Sequence, residues 1–243
     1  MTVESVEIKT HDGMMDCEFF DRGGQGAVIL YMDAFGVRPA MREMAGRMAE
    51  GGYAVLLPNL YYRAGRAEEL GAFDPATSFQ GGPDRERLMG LYKSLTQKGV
   101  MEDTGAMLEY LDKETDGAKV GCVGYCMGGG FALSAAGTFP ERVAAAASFH
   151  GARLATDSPE SPHLLAPKMK GEIYVGIAGL DTHFTAQDKA RLEGALAAAG
   201  VRHTVEVYEG AKHGFAVNDT PAFDKAAAEK HWERVMGLLG RNL

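Results

Sequence analysis

Lys119-Val120-Gly121-Cys122-Val123-Gly124-Tyr125-Cys126-Met127-Gly128-Gly129-Gly130 is an apolar run that ends in a turn of small residues. The pattern predicts a strand over Lys119 to Tyr125 and a helix over Gly128 to Thr138. At their junction, Gly124-Tyr125-Cys126-Met127-Gly128 has the form of a nucleophile elbow with Cys in place of Ser. A residue on such a sharp turn needs small neighbours two places before and two places after, so that strand and helix can cross. Gly124 and Gly128 meet that need, and Gly129 and Gly130 let the first helical turn approach the sheet. A helix N-terminus beside a thiol favours negative charge, which both activates an attacking sulfur and stabilises an oxyanion. The plain alternative is a glycine-rich turn in which Cys126 is a small buried residue.

Downstream of the elbow the alternation is regular. Strands are expected at Val143 to Phe149, Glu172 to Ala178 and Thr204 to Tyr208, separated by a loop from Gly151 to Met169 and a helix ending at Ala199. Thr185 with Asp188 three places later resembles a capping box opening that helix, and Pro221 to Leu239 reads as a final amphipathic helix. Upstream, Val3 to Asp21 reads as two strands around Asp12-Gly13 and Ala27 to Met32 as a buried strand. A helix follows from Pro39 to Gly51-Gly52, then the apolar run Tyr53 to Leu57. Asn59 to about Pro83 lacks periodicity and reads as an insertion over the site, before helical patterns at Asp84 to Gln97 and Glu102 to Lys113. Strands alternating with helices of about a dozen residues imply a mostly parallel sheet with helices on both faces.

Open parallel sheets build their sites on loops at the carboxyl ends of strands. Asp181 follows the strand ending near Ala178, and His213 follows the strand ending at Tyr208. The order nucleophile, acid, histidine is that of the α/β-hydrolase fold, which is therefore expected for 1–243 as a single domain, with Cys126, Asp181 and His213 as its triad. Separately, Asp181 could be a helix cap and His213 a surface histidine; their joint placement argues against both. The two oxyanion donors are expected to be the backbone N–H groups of Met127 and of Ala34, in the loop Asp33-Ala34-Phe35-Gly36. Asp33 is either a thiol-tuning carboxylate beside Cys126 or a loop acid facing solvent.

Composition narrows the partners. The 243 residues are 46% hydrophobic and 24% charged, with a formal net charge of -8. That balance disfavours nucleic acid or an anionic membrane as partner and points to a small molecule. Met1 to Met15 contains no apolar core of signal-peptide length, and no stretch approaches the roughly 18 apolar residues of a membrane span, so a cytoplasmic location is expected. The cysteines Cys17, Cys122 and Cys126 do not form a disulfide framework. Metal-ligand spacings are absent, and neither metal nor cofactor is expected. Oligomeric state is not legible.

The chain resembles the dienelactone hydrolase family along nearly its whole length. The resemblance rests on Asp33-Ala34-Phe35-Gly36, Pro58-Asn59-Leu60-Tyr61-Tyr62-Arg63, Gly124 to Gly130, Asp181 and His213-Gly214-Phe215. It implies a Cys-His-Asp hydrolase of small esters or lactones, of the carboxymethylenebutenolidase type. Asp33 stands where the family has a Glu that contacts the resting thiol, one methylene longer. Val217 replaces an Arg that helps hold the substrate carboxylate, leaving Arg63, Arg85 and Arg87 as candidates for that role. His150 is read as a substrate contact or a strand cap, and Tyr61, Tyr62 and Phe215 as pocket walls or core packing. Other readings are a thioesterase and a non-catalytic thiol sensor.

Overall fold

The computed structural model describes residues 2–243 except Arg22, Gln25 and Ala72. Eight strands, β1 (Thr2–Lys9), β2 (Met14–Asp21), β3 (Gly26–Tyr31), β4 (Tyr53–Pro58), β5 (Val120–Tyr125), β6 (Val143–Phe149), β7 (Glu172–Ala178) and β8 (His203–Tyr208), form one sheet in the order β1-β2-β4-β3-β5-β6-β7-β8. β1 and β2 pair antiparallel, β2 meets β4 antiparallel, and every pairing from β4 to β8 is parallel. β3, β4, β5 and β7 are buried at every position, as expected of strands covered on both faces.

The helices are α1 (Pro39–Glu50), α2 (Ala67–Leu70), α3 (Gly82–Ser94), α4 (Gln97–Glu114), α5 (Met127–Thr138), α6 (Ala186–Ala198) and α7 (Lys225–Asn242). Two glycines of β5 show how they flank the sheet. A Cβ on Gly121 would lie 2.7 Å from Leu239 of α7, whereas one on Gly124 would lie 2.0 Å from the Gly128 carbonyl of α5. Odd and even positions of a strand face opposite ways, so α7 and α5 cover opposite faces. Arg47 of α1 stacks over Trp232 of α7 at 4.4 Å, which joins those two helices. The α/β-hydrolase architecture is thus as the sequence implied.

Local differences have local causes. α5 starts one residue earlier than expected because Cys126 itself occupies the cap position, and the 59–83 stretch contains the short α2 and several turns. The last helix starts at Lys225 rather than Pro221, because the Asp224 carboxylate accepts from the Ala227 N–H at 3.0 Å and stops the helix there. The capping box of α6 is present, Asp188 N–H donating to Thr185 Oγ1 at 3.2 Å and Thr185 N–H to Asp188 Oδ2 at 2.9 Å.

Candidate active site

Cys126 sits between β5 and α5 with φ 54° and ψ -117°, a left-handed backbone conformation that is costly for a residue with a side chain. The neighbours hold it there. Its N–H donates to Phe149 O at 3.1 Å and its carbonyl accepts from Gly129 N–H at 3.2 Å. A Cβ at Gly124 would collide with the Gly128 carbonyl at 2.0 Å, and one at Gly128 with the Tyr31 carbonyl at 2.4 Å. Beneath the elbow, Tyr125 shares a 2.6 Å hydrogen bond with His231 Nε2 of α7. Burial pushes His231 down to about 3, so its neutral ring accepts the phenol proton. Cys17 and Cys122 are buried, and burial raises both thiols, Cys122 to about 12; Cys126 is half-buried at the mouth of a cavity.

Asp181 and His213 come from the loops after β7 and β8, which are tied together by Leu180 N–H donating to Ala211 O at 2.9 Å. His213 Nδ1–H donates to Asp181 Oδ2 at 2.6 Å. Burial works against ionising Asp181, but the hydrogen bonds from His213 and from His183 prevail and hold its carboxyl at about 2. Burial likewise pulls His213 down, and the hydrogen bond to Asp181, with the influence of the nearby Cys126 side chain, overcomes it, raising His213 to about 10. His213 thus lines the same cavity as Cys126, with Asp181 hydrogen-bonded to its far nitrogen.

Ala34 and Met127 line the same cavity as Cys126, and among the described residues neither backbone N–H donates to a protein acceptor, as a loop and the open end of a helix allow. Tyr61 braces that wall, its hydroxyl donating to Ala34 O at 2.9 Å. His150 also lines the cavity, with φ 38° and its ring edge-on to His213 at 5.1 Å between centroids. Neither of its ring nitrogens has a partner among the described residues, and burial drives it well below the usual histidine range, so it is neutral.

Four expectations, for Asp33, Arg63, Arg85 and Arg87, are corrected, and Tyr62 and Phe215 take the core-packing alternative. Asp33 lines the cavity but does not hydrogen-bond Cys126: both its oxygens accept from Arg38, at 2.6 and 2.9 Å, and Oδ1 also accepts from Phe35 N–H. Arg63 is held away from the cavity by Asp103 and Asp12, and Tyr62 beside it donates to Asp103 at 2.9 Å. Arg85 is exposed on α3 outside the cavity wall. Arg87 lies over the Phe73 ring and donates to Leu70 O at 2.6 Å. Phe215 is fully buried, stacked on Tyr208 at 4.6 Å, and is a core residue.

Four participants were not anticipated. His183 donates to Asp181 Oδ1 from its backbone at 2.8 Å and faces it with Nδ1 at 3.0 Å; only its position two after Asp181 hinted at this. Arg38, 2% exposed, pairs bidentately with Asp33 and with Asp219, whose oxygens lie 2.7 and 2.9 Å away. Phe79 and Met89 come from the stretch read only as an insertion and its following helix. Among the described residues, Asp181, His183 and His213 are the grouping that could hold a metal ion, their ligand atoms lying within 4.8 Å of one another, and hydrogen bonds already join them.

With this geometry in view, comparison with known proteins is decisive. The sequence profile of the dienelactone hydrolase family matches residues 22–243. The chain belongs to that family. It is 27% identical to the carboxymethylenebutenolidase of Pseudomonas putida over 244 residues, covering 98% of this chain and 97% of the relative. The carboxymethylenebutenolidase of Rhodococcus opacus is also 27% identical, over 229 residues, covering 92% and 84%. Among solved structures, the dienelactone hydrolase from Anabaena variabilis superposes with a TM-score of 0.72 at 20% identity, covering 100% of this chain and 98% of that one. A dienelactone hydrolase-like promiscuous phosphotriesterase from metagenomic libraries superposes at 0.76 with 21% identity, covering 100% and 99%. These structures share the fold, and the family membership makes the protein a hydrolase. Among the described residues no helix is long and apolar enough to cross a membrane.

Proposed function

We propose that the protein hydrolyses a small carboxylic ester or lactone through a covalent Cys126 acyl-enzyme. The observation that carries the reading is His213, bonded to Asp181 at 2.6 Å, lining the same cavity as Cys126 and raised by both neighbours. His213, raised to about 10, already holds the proton as an imidazolium beside the Cys126 thiolate, and the sulfur attacks the carbonyl carbon to form a C–S bond. The developing oxyanion is stabilised by the N–H groups of Ala34 and Met127 at the positive end of α5. Collapse breaks the C–O bond, and the leaving oxygen takes the proton from His213. Water then attacks the thioester, giving its proton to His213; the C–S bond breaks, the acid departs and the thiolate is restored beside the His213 imidazolium. Asp181 keeps the His213 ring oriented and offsets its positive charge throughout.

The carboxymethylenebutenolidase relatives bring lactones into the candidate substrate range. The test is turnover of an aryl ester and an enol lactone by wild type and by Cys126→Ala. Loss of at least about a thousandfold in kcat is expected; undiminished turnover by the variant would overturn the reading.

A further inference from the structure

The cavity beside Cys126 has a volume of about 620 Å3, enough for a small ester with an acyl chain or ring. Phe35, Phe79, Leu88, Met89, Tyr92 and Pro221 are among its walls, and among the described residues no lysine or arginine lines it. Phe79 is 51% exposed and meets Phe35 edge-on at 5.2 Å, so an apolar aromatic rim stands open to solvent.

The charges near the cavity are already committed. Arg38 is shared by buried Asp33 and exposed Asp219, which leaves one formal negative charge on that trio. His213 is paired with Asp181, His183 turns Nδ1 toward the same carboxylate, and His150 is neutral. Arg63 and Arg87 are held elsewhere by the contacts described above. Lys93 and Arg153 line an adjoining hollow of about 350 Å3 beyond Tyr92 and Met127, together with Glu160. A carboxylate carried into the main cavity would lose its hydration and find no free cation, whereas an apolar group would gain from burial.

We propose that this cavity selects an uncharged, apolar acyl group and discriminates against esters whose acyl chain ends in a carboxylate. The proposal rests on Cys126 being the nucleophile, and it narrows the substrate class that nucleophile serves.

The test compares two esters with the same acyl length, 4-nitrophenyl pentanoate and the mono-4-nitrophenyl ester of pentanedioic acid, which differ in a terminal methyl or carboxylate. Wild type is expected to favour the pentanoate by at least about a hundredfold in kcat/KM, the scale of burying an unpaired charge. Met89→Arg, which sets a cation in the wall, is expected to shrink that ratio by about tenfold or more. Equal turnover, or faster turnover of the carboxylate ester through Lys93 and Arg153, overturns the proposal. A second measurement separates this from failure of the catalytic reading. Binding of the matching anilides, pentananilide and its terminal carboxylate analogue, to Cys126→Ala is read by calorimetry without any chemistry. The neutral anilide is expected to bind at least about tenfold more tightly. Absence of measurable binding up to its solubility limit, or preference for the carboxylate, overturns the proposal whatever the nucleophile does.

Discussion

Asp181 serves two imidazoles with its two oxygens, His213 at 2.6 Å on Oδ2 and His183 at 3.0 Å on Oδ1, and this fixes how the site responds to pH. His213 is raised from its ordinary 6.5 to about 10, so its contribution to folding stability is complete below pH 6.5 and is lost as pH rises through 10. The Asp181 carboxyl is lowered from its ordinary 3.8 to about 2, so its contribution is present above pH 3.8 and is lost as pH falls through 2. Thermal unfolding across pH should therefore show wild type losing its advantage over His213→Gln between 6.5 and 10; a difference that stays constant across that span contradicts the pairing. His150 presents the opposite case, with two nitrogens buried and unpartnered beside His213. An unsatisfied buried polar group costs about 1–3 kcal/mol. His150→Phe, which keeps the ring packing and removes both nitrogens, should match or exceed wild-type stability in urea denaturation. Of these residues Cys126, Asp181 and His213 were legible because each follows a strand end in a fixed chain order. His183 was not, since its role depends on a tight turn that folds it back onto Asp181.

At the scale of elements, the elbow depends on glycine where backbones cross. Gly124→Ala would place a Cβ 2.0 Å from the Gly128 carbonyl, which cannot swing aside as a side-chain tip would. A loss of roughly 3 kcal/mol or more in unfolding free energy is expected, at or beyond the upper end of overpacking costs. Gly194, inside α6, has nothing within 4 Å of its added Cβ. Gly194→Ala should stabilise by about 0.5–1 kcal/mol in the same assay, from the helix preference of alanine. Both readings of the elbow and of the α6 capping box came from neighbours a few residues apart, which is why the sequence displayed them. The 59–83 stretch shows the limit of such reading. Its turns carry no periodic signal, so Phe79 could be placed near the site only as part of an insertion, without its contact to Phe35.

Across the whole molecule, Arg38 links the loop after β3 to the loop that follows His213, bridging residues 181 positions apart in the chain. No local pattern announces such a pair, and neither reading of Asp33, a thiol-tuning carboxylate or a loop acid in solvent, foresaw Arg38, which lay just outside the motif that drew attention to it. Removing Arg38 strands the buried Asp33 carboxylate, at about 3–5 kcal/mol, while exposed Asp219 turns to water. Arg38→Ala should lose that much stability in urea, and adding Asp33→Asn should restore part of it; full additivity of the two losses would contradict a shared network. The same trio ties the Asp33–Gly36 loop to the loop after His213, and residues of both line the cavity that Cys126 also lines. The most direct test of Cys126 as the nucleophile in that cavity is to mix the protein with 4-nitrophenyl pentanoate, quench in acid during the first turnover, digest and weigh the peptides. The account predicts a pentanoyl group on the peptide carrying Cys126, formed with a matching release of nitrophenol and absent from Cys126→Ala. Steady turnover with no acyl group on Cys126, persisting in the Cys126→Ala variant, would contradict it.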